Sequence, residues 1–210
     1  GNPAGMFNYG LMLDEGKGIA KNVEEACKYY KMSADNGLQK GMTKYGYKLS
    51  IGDGVQKDIN EALRYYKLAI DQGNSNGMND YGWTIFRNSS KYEDYEIACK
   101  YYKMAIEKNN YYSMVNYGFM LDHGYGVQID HEEANKYYKK VIEDGETKKI
   151  FKLARIFDDG GKEKGPIDKK EACRYYKLAA DANHTESIFR YATMLENGIG
   201  IESNKDEAIR

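Results

Sequence analysis

A repeat of 36 to 38 residues runs through the whole chain and constrains the fold more than any other feature. Pairs of adjacent tyrosines recur at steps of 36, 36, 36 and 38 residues: Tyr29-Tyr30, Tyr65-Tyr66, Tyr101-Tyr102, Tyr137-Tyr138 and Tyr175-Tyr176. In the same register, Tyr-Gly recurs from Tyr9 and a marker alanine recurs from Ala26 to Ala208. A fixed period of about 20–50 residues indicates a solenoid, a propeller or a repeat array. The content of one unit therefore decides the fold.

One unit has the pattern of a helix, a loop and a second helix. The first helix has a face at i, i+3, i+4 and i+7 made of Met42, Tyr45, Gly46 and Leu49. The second has a face made of Ala62, Tyr66 and Ala69. No segment alternates apolar and polar residues, so no strand is predicted. We therefore predict an all-α fold in which antiparallel helix pairs bury their apolar faces by stacking on one another.

The register predicts twelve helices. They lie near residues 4–14, 22–35, 40–50, 58–72, 76–87, 94–108, 112–122, 130–144, 148–158, 168–182, 186–196 and from 204 onward. Gly46 and Ala62 leave room on one helix for the bulky ring of Tyr66 on another. The tyrosine pairs are therefore predicted to be structural.

Several spaced markers together resemble one repeat family. They are Met-x-x-Tyr-Gly at Met42, Gly-x-Gly-Val at Gly52, Glu-Ala-x-x-Tyr-Tyr-Lys-x-Ala at Glu61, and a glycine at Gly73. This combination resembles the Sel-one-like repeat (SLR) family, which is related to the tetratricopeptide repeat. The resemblance implies a right-handed superhelical α-solenoid of about five and a half repeats over residues 1–210. It also implies a non-catalytic scaffold that gathers protein partners.

Both ends of the chain fall inside the repeat register. Gly1 aligns with Gly73, a residue that ends a helix, and the next tyrosine pair would follow directly after Arg210. We therefore expect an excerpt from a longer array cut at both ends.

Composition argues against several partners. The 31 Lys and Arg balance 32 Asp and Glu, giving a net charge of −1, whereas nucleic-acid binding favours a basic excess. No run of about 18 apolar residues is present, so direct membrane insertion is not expected. The predicted partners are other proteins or peptides.

No cofactor, metal or catalytic site is predicted. Cys27, Cys99 and Cys173 share one repeat position, so in an extended array they lie too far apart for a disulfide or a zinc site. The three histidines lack metal-ligand spacing. Unpaired cysteines favour the cytoplasm, with the endoplasmic reticulum lumen or secretion as alternatives.

Two segments interrupt the pattern. Residues 88–91, Asn-Ser-Ser-Lys, replace Gly-x-Gly-Val without a change in length, and residues 158–166 form a loop that is two residues longer. Each is either a specific contact site or neutral drift in a surface turn.

One face of the first helices carries more aromatic residues than an exposed face should. We call this face the A-helix stripe. It comprises the residues two before and two after the marker tyrosine position: Phe7/Leu11, Thr43/Tyr47, Asn79/Trp83, Val115/Phe119, Phe151/Arg155 and Phe189/Thr193. The resemblance places it in a concave groove, with the rings of Tyr47, Trp83 and Phe119 each partly exposed. The alternative is that these rings fill crevices between repeats.

From the stripe we predict seven partner-binding residues: Phe7, Leu11, Tyr47, Asn79, Trp83, Phe119 and Arg155. A polar rim would follow at Asn8, Lys44, Asp80, Asn116, Lys152 and Arg190. Adjacent repeats are expected about 20 Å apart, so an extended peptide would need about six residues per repeat.

The sequence thus favours a non-enzymatic interaction scaffold or adaptor. The main alternative is a regulatory or targeting segment of a larger enzyme such as a kinase. A hydrolase acting on cell-wall material would need convergent carboxylates or a nucleophile, and the sequence assembles neither.

Overall fold

A computed structural model describes residues 1–160 and 167–208, which contain α-helices and no strands. The helices are α1 Pro3–Glu15, α2 Val23–Asp35, α3 Gln39–Ile51, α4 Ile59–Asp71, α5 Ser75–Asn88, α6 Tyr92–Ile106, α7 Tyr111–His123, α8 His131–Glu143, α9 Lys148–Asp159, α10 Lys169–Asp181, α11 Thr185–Asn197 and α12 Lys205–Ala208. The all-α prediction is confirmed, and the predicted boundaries lie within about two residues of these.

The chain forms two compact units, Gly1–Asn110 and Tyr111–Arg210. The odd-numbered helices are the first, or A, helices of the repeats, and the even-numbered ones are the B helices. In the first unit α3 contacts both α1 and α5, and in the second α7 contacts α9. Neighbouring A helices in direct contact lie about 8–10 Å apart. The expected spacing of about 20 Å between repeats is therefore wrong for these three pairs of repeats, because their A helices pack on each other.

Polar caps and glycines set the helix ends in the second repeat. The Asp58 side chain accepts a hydrogen bond from the backbone N–H of Glu61 at 3.0 Å and begins α4. Gly52 ends α3 with a φ of 71°, in the left-handed region that favours glycine.

A tyrosine ring on each of the first four B helices packs against a glycine on its A helix. A Cβ atom on Gly46 would lie 2.7 Å from Cε1 of Tyr66. The same close approach recurs at Gly10–Tyr30, Gly82–Tyr102 and Gly118–Tyr138. The rings of Tyr30, Tyr66 and Tyr102 are fully buried, and that of Tyr138 is nearly so. The predicted packing of large rings against small residues is therefore confirmed.

Three of the buried tyrosine hydroxyls donate to a carboxylate near the end of an A helix. The pairs are Tyr30–Asp14 at 3.2 Å, Tyr138–Asp122 at 2.9 Å and Tyr176–Asp158 at 3.0 Å. Cations from the following repeat neutralise all three of these acids. Lys48 Nζ lies 2.6 Å from Asp14, Arg174 lies 2.5 Å from Asp122, and Arg190 lies 3.8 Å from Asp158. Burial disfavours the charged form of Asp14, but Lys48 and Lys44 outweigh that effect and lower its pKa.

The third repeat connects its two helices differently. Because α5 continues to Asn88 and α6 begins at Tyr92, only residues 89–91 separate them, against residues 52–58 in the second repeat. Ser89 Oγ donates to Asp94 at 2.5 Å and accepts from the Lys91 backbone N–H at 3.1 Å. In the fifth repeat, residues 161–166 of the longer loop lie outside the described residues.

Replacing Gly46 by alanine should lower the free energy of unfolding by about 1–3 kcal/mol, because the new methyl group overlaps the Tyr66 ring. The matched control is Gly5→Ala, whose new Cβ would find its nearest neighbour at 3.8 Å. Urea denaturation followed by circular dichroism measures both variants. Equal stability of Gly46→Ala and the parent would contradict the ring-on-glycine packing.

Candidate functional site

The A-helix stripe of the first unit runs along three helices that lie side by side. Leu11 on α1, Tyr47 on α3 and Trp83 on α5 occupy equivalent positions, and each side chain is half-buried. Phe7 and Leu11 pack against the hydrophobic core of this unit. The stripe is thus anchored on one side by core packing and is partly open on the other.

Trp83 lies within a group of aromatic rings on α5 and α6. Its ring centroid is 5.8 Å from that of Phe86, which lies 5.4 Å from that of Tyr95. The Arg87 guanidinium carbon lies 5.5 Å from the Trp83 ring centroid, at cation–π distance. We call Trp83, Phe86, Arg87 and Tyr95 the Trp83 cluster, and all four side chains are half-buried.

The sequence prediction did not include Phe86 and Arg87. Phe86 occupies the repeat position of Asp14, Asp122 and Asp158, so its aromatic ring breaks a polar pattern that could have drawn attention to it. Arg87 follows Trp83 by four residues, the spacing at which side chains on one helix face meet. Both signals were visible in the printed sequence.

Asn79 does not line an open surface. Its side chain is only 8% exposed and donates to the Asp80 carboxylate at 3.0 Å. The structure therefore places Asn79 within the helix packing, and its role as a partner contact stays a prediction.

In the second unit the stripe differs. Phe119 is 4% exposed, so the prediction of a partly exposed ring is wrong there. Its ring centroid lies 4.3 Å from that of His123, 5.2 Å from Phe157 and 5.7 Å from Tyr125, and these rings enclose it. Arg155 is exposed as expected and lies 3.5 Å from Asp159 on the same helix.

A polar network surrounds the end of α7. Asp122 accepts from Tyr138 at 2.9 Å and from Arg174 at 2.5 Å, and it lies 3.0 Å from Nδ1 of His131. The carboxylate is nearly inaccessible to solvent. Burial alone would favour its neutral form, but these donors outweigh burial and hold the pKa of Asp122 below its ordinary value. The network therefore ties α7 to α8 and α10.

His123 links α7 to α10 by a second contact. Its Nε2 lies 3.3 Å from the Glu171 carboxylate, and its Nδ1 lies 2.9 Å from the Phe119 carbonyl oxygen. Burial lowers the pKa of His123, but the Glu171 carboxylate and the Phe119 carbonyl outweigh burial and raise it above its ordinary value. The protonated imidazole is therefore the form that this site stabilises.

The cysteines have the character of core residues. Burial raises the pKa of the Cys27 thiol to about 11 and that of Cys99 to about 12, which disfavours the reactive thiolate.

Among residues 1–160 and 167–208, no three His, Cys, Asp or Glu side chains cluster as a metal site would require. In the same ranges no helix has the length and apolar character needed to cross a membrane.

A comparison with known protein families finds the same repeats as the structure. A family described as "Sel1 repeat" matches residues 3–38, 39–74, 76–110, 112–146, 150–184 and 185–210. The comparison with curated proteins gives no match.

Three solved structures illustrate the similarity of fold. A Sel1 repeat protein from Oxalobacter formigenes is 26% identical, with a TM-score of 0.67 over 99% of this chain and 82% of its own. The protective antigen c5321 of uropathogenic Escherichia coli, which displays an SLR fold, is 24% identical, with a TM-score of 0.64 over 100% of this chain and 44% of its own. The immunity protein Pa5087 of Pseudomonas aeruginosa is 16% identical, with a TM-score of 0.58 over 92% and 70%.

The stability of the second unit should depend on the protonation of His123. Because its folded pKa is raised above the unfolded value, the His123–Glu171 contact stabilises fully below about pH 6.5 and is lost as pH rises through the folded pKa. Urea unfolding of the parent and of His123→Gln, across about pH 5 to 8, isolates this effect as a difference. A difference that stays constant with pH would contradict it.

Proposed function

The chain belongs to the Sel1 repeat family, and from this membership and the A-helix stripe of its first unit we propose that it is a non-enzymatic scaffold or adaptor. Sel1 repeat proteins generally serve as protein-interaction scaffolds. The finer part of the proposal is that this chain holds a protein partner on the stripe, through Leu11, Tyr47 and Trp83.

One observation carries the proposal. Tyr47 and Trp83 stand at equivalent positions of two A helices in direct contact, and both rings are half-buried. A half-buried ring is already ordered by its neighbours and still offers apolar surface, which is the character of a binding hot spot. Phe7 and Leu11 extend this surface along α1, while the buried Phe119 contributes to packing in the second unit.

The structural relatives described as a protective antigen and an immunity protein are 24% and 16% identical to this chain, so they support the fold of the scaffold and not the choice of partner. The alternative from the sequence, a regulatory or targeting segment of a larger enzyme such as a kinase, would use the same stripe to hold its partner. Truncation of the stripe therefore tests both the scaffold and the regulatory segment.

The test is truncation of the stripe's tryptophan. Affinity capture with the intact chain first identifies a partner, and titration calorimetry then measures its affinity for the parent and for Trp83→Ala. We expect the variant to bind at least about thirtyfold more weakly, because an aromatic anchor at an interface commonly contributes about 2 kcal/mol or more. Helix content by circular dichroism should not change.

The matched control is Leu68→Ala, which removes a side chain of 37% exposure from the B helix α4, away from the stripe. It should bind the partner as the parent does. Because Trp83 is the chain's one tryptophan, its fluorescence gives a second readout: iodide should quench it in the free chain, and the partner should protect it. Unchanged affinity of Trp83→Ala would contradict the proposal.

A further inference from the structure

Arg87 differs from the other arginines of the described residues because it has no carboxylate partner. Four arginines lie within ion-pair distance of an acid: Arg64 with Glu61 at 2.7 Å, Arg155 with Asp159 at 3.5 Å, Arg174 with Asp122 at 2.5 Å and Arg190 with Asp158 at 3.8 Å. In residues 1–160 and 167–208 the Arg87 guanidinium instead lies 5.5 Å from the Trp83 ring centroid, in a cation–π contact. A guanidinium prefers a planar, bidentate acceptor such as a carboxylate.

The Trp83 cluster also holds Arg87 in place. The guanidinium lies over Trp83, whose ring is supported by Phe86 and in turn by Tyr95. Because a cation–π contact uses no N–H donor, the hydrogen-bonding groups of Arg87 stay available for a ligand. A half-buried and supported side chain loses less conformational entropy when it binds than a fully exposed one.

The neighbouring charges favour an anion. In the connection that directly follows α5, Lys91 is exposed and forms no ion pair within the described residues. Two acids of the third repeat accept hydrogen bonds from their neighbours: Asp94 from Ser89 Oγ at 2.5 Å, and Asp80 from Asn79 at 3.0 Å. Arg87 and Lys91 are therefore two cations of the third repeat that no acid of the described residues pairs with.

We propose that the partner presents an extended segment in which an Asp or Glu side chain pairs with Arg87 and an apolar side chain packs on Tyr47. This inference rests on the proposed function and names the chemistry of its partner. Since α3 and α5 are in direct contact, Tyr47 and the equivalent Trp83 lie about 10 Å apart. Arg87 lies four residues, or about 6 Å, further along α5, so it is about 12 Å from Tyr47. An extended chain covers that distance in about three to four residues, so the acid and the apolar residue are about three to four positions apart.

The experiment selects peptides from a displayed random library of 12-residue sequences on the intact chain. The best peptides are then synthesised with amidated C-termini, so that any carboxylate comes from a side chain. We expect them to carry Asp or Glu with an aliphatic or aromatic residue about three to four positions away. Arg87→Glu should weaken their binding at least about tenfold, and Arg87→Gln should weaken it to a smaller extent.

The matched control is Lys67→Glu. Lys67 also holds its cation over a ring, 5.7 Å from Tyr81, but lies on the B helix α4. It should change the affinity by less than about twofold, since exposed charges at a distance are largely screened by salt. Circular dichroism confirms that both charge-reversal variants keep their helices, and Arg87→Gln replaces Arg87→Glu as the test if the latter does not fold.

The outcomes separate this inference from the proposed function. Selected peptides that are basic or uncharged, equal weakening by Arg87→Glu and Lys67→Glu, or the absence of any selected peptide would each overturn the acidic-segment inference. If peptides without an acid still lose binding in Trp83→Ala, the stripe remains the binding surface and only its assigned chemistry fails. If binding is indifferent to Trp83→Ala, the proposed function fails as well.

Discussion

The contact between a tyrosine ring and a glycine backbone sets the approach of the two helices in each of the first four repeats. At Gly46 a single added methyl group would come within 2.7 Å of the Tyr66 ring, so the helices are as close as that ring permits. Close approach in turn buries the tyrosine completely and brings its hydroxyl to the end of the A helix. Helix spacing, core burial and the position of the polar contacts all follow from this one pairing of a large side chain with the smallest.

The hydrogen-bond partners of the buried tyrosine hydroxyls link one repeat to the next. A hydroxyl removed from water requires a hydrogen-bond partner, and Asp14, Asp122 and Asp158 supply it. A buried carboxylate in turn requires a cation, which Lys48, Arg174 and Arg190 contribute from the following repeat in the three cases. Electrostatic contacts between repeats are thus a consequence of packing within a repeat.

The third repeat departs from this arrangement, and the candidate site lies there. Phe86 replaces the carboxylate, Tyr95 adds a further ring, and residues 89–91 make a shorter connection than the glycine loops of other repeats. An aromatic group without the usual acid leaves Arg87 over Trp83 and away from any carboxylate in the described residues. A local change in the repeat pattern therefore produces the combination of apolar and cationic surface on which both proposals rest.

Sequence periodicity determined the helix count and, within about two residues, the helix ends through Lys205, because heptad-like spacing and capping residues are local properties of the chain. It also predicted that the Tyr66 ring packs against Gly46, because a large and a small residue that recur together in each repeat indicate close helix packing.

The sequence could not determine the exposure of the side chains along the stripe. Leu11, Tyr47, Trp83 and Phe119 share one repeat position, yet Phe119 is buried while the others are half-buried. That difference arises because Tyr125, His123 and Phe157 enclose Phe119, and Phe157 comes from α9, a different helix. Burial depends on which side chains of other elements fill the remaining space, and only the tertiary structure brings those side chains together.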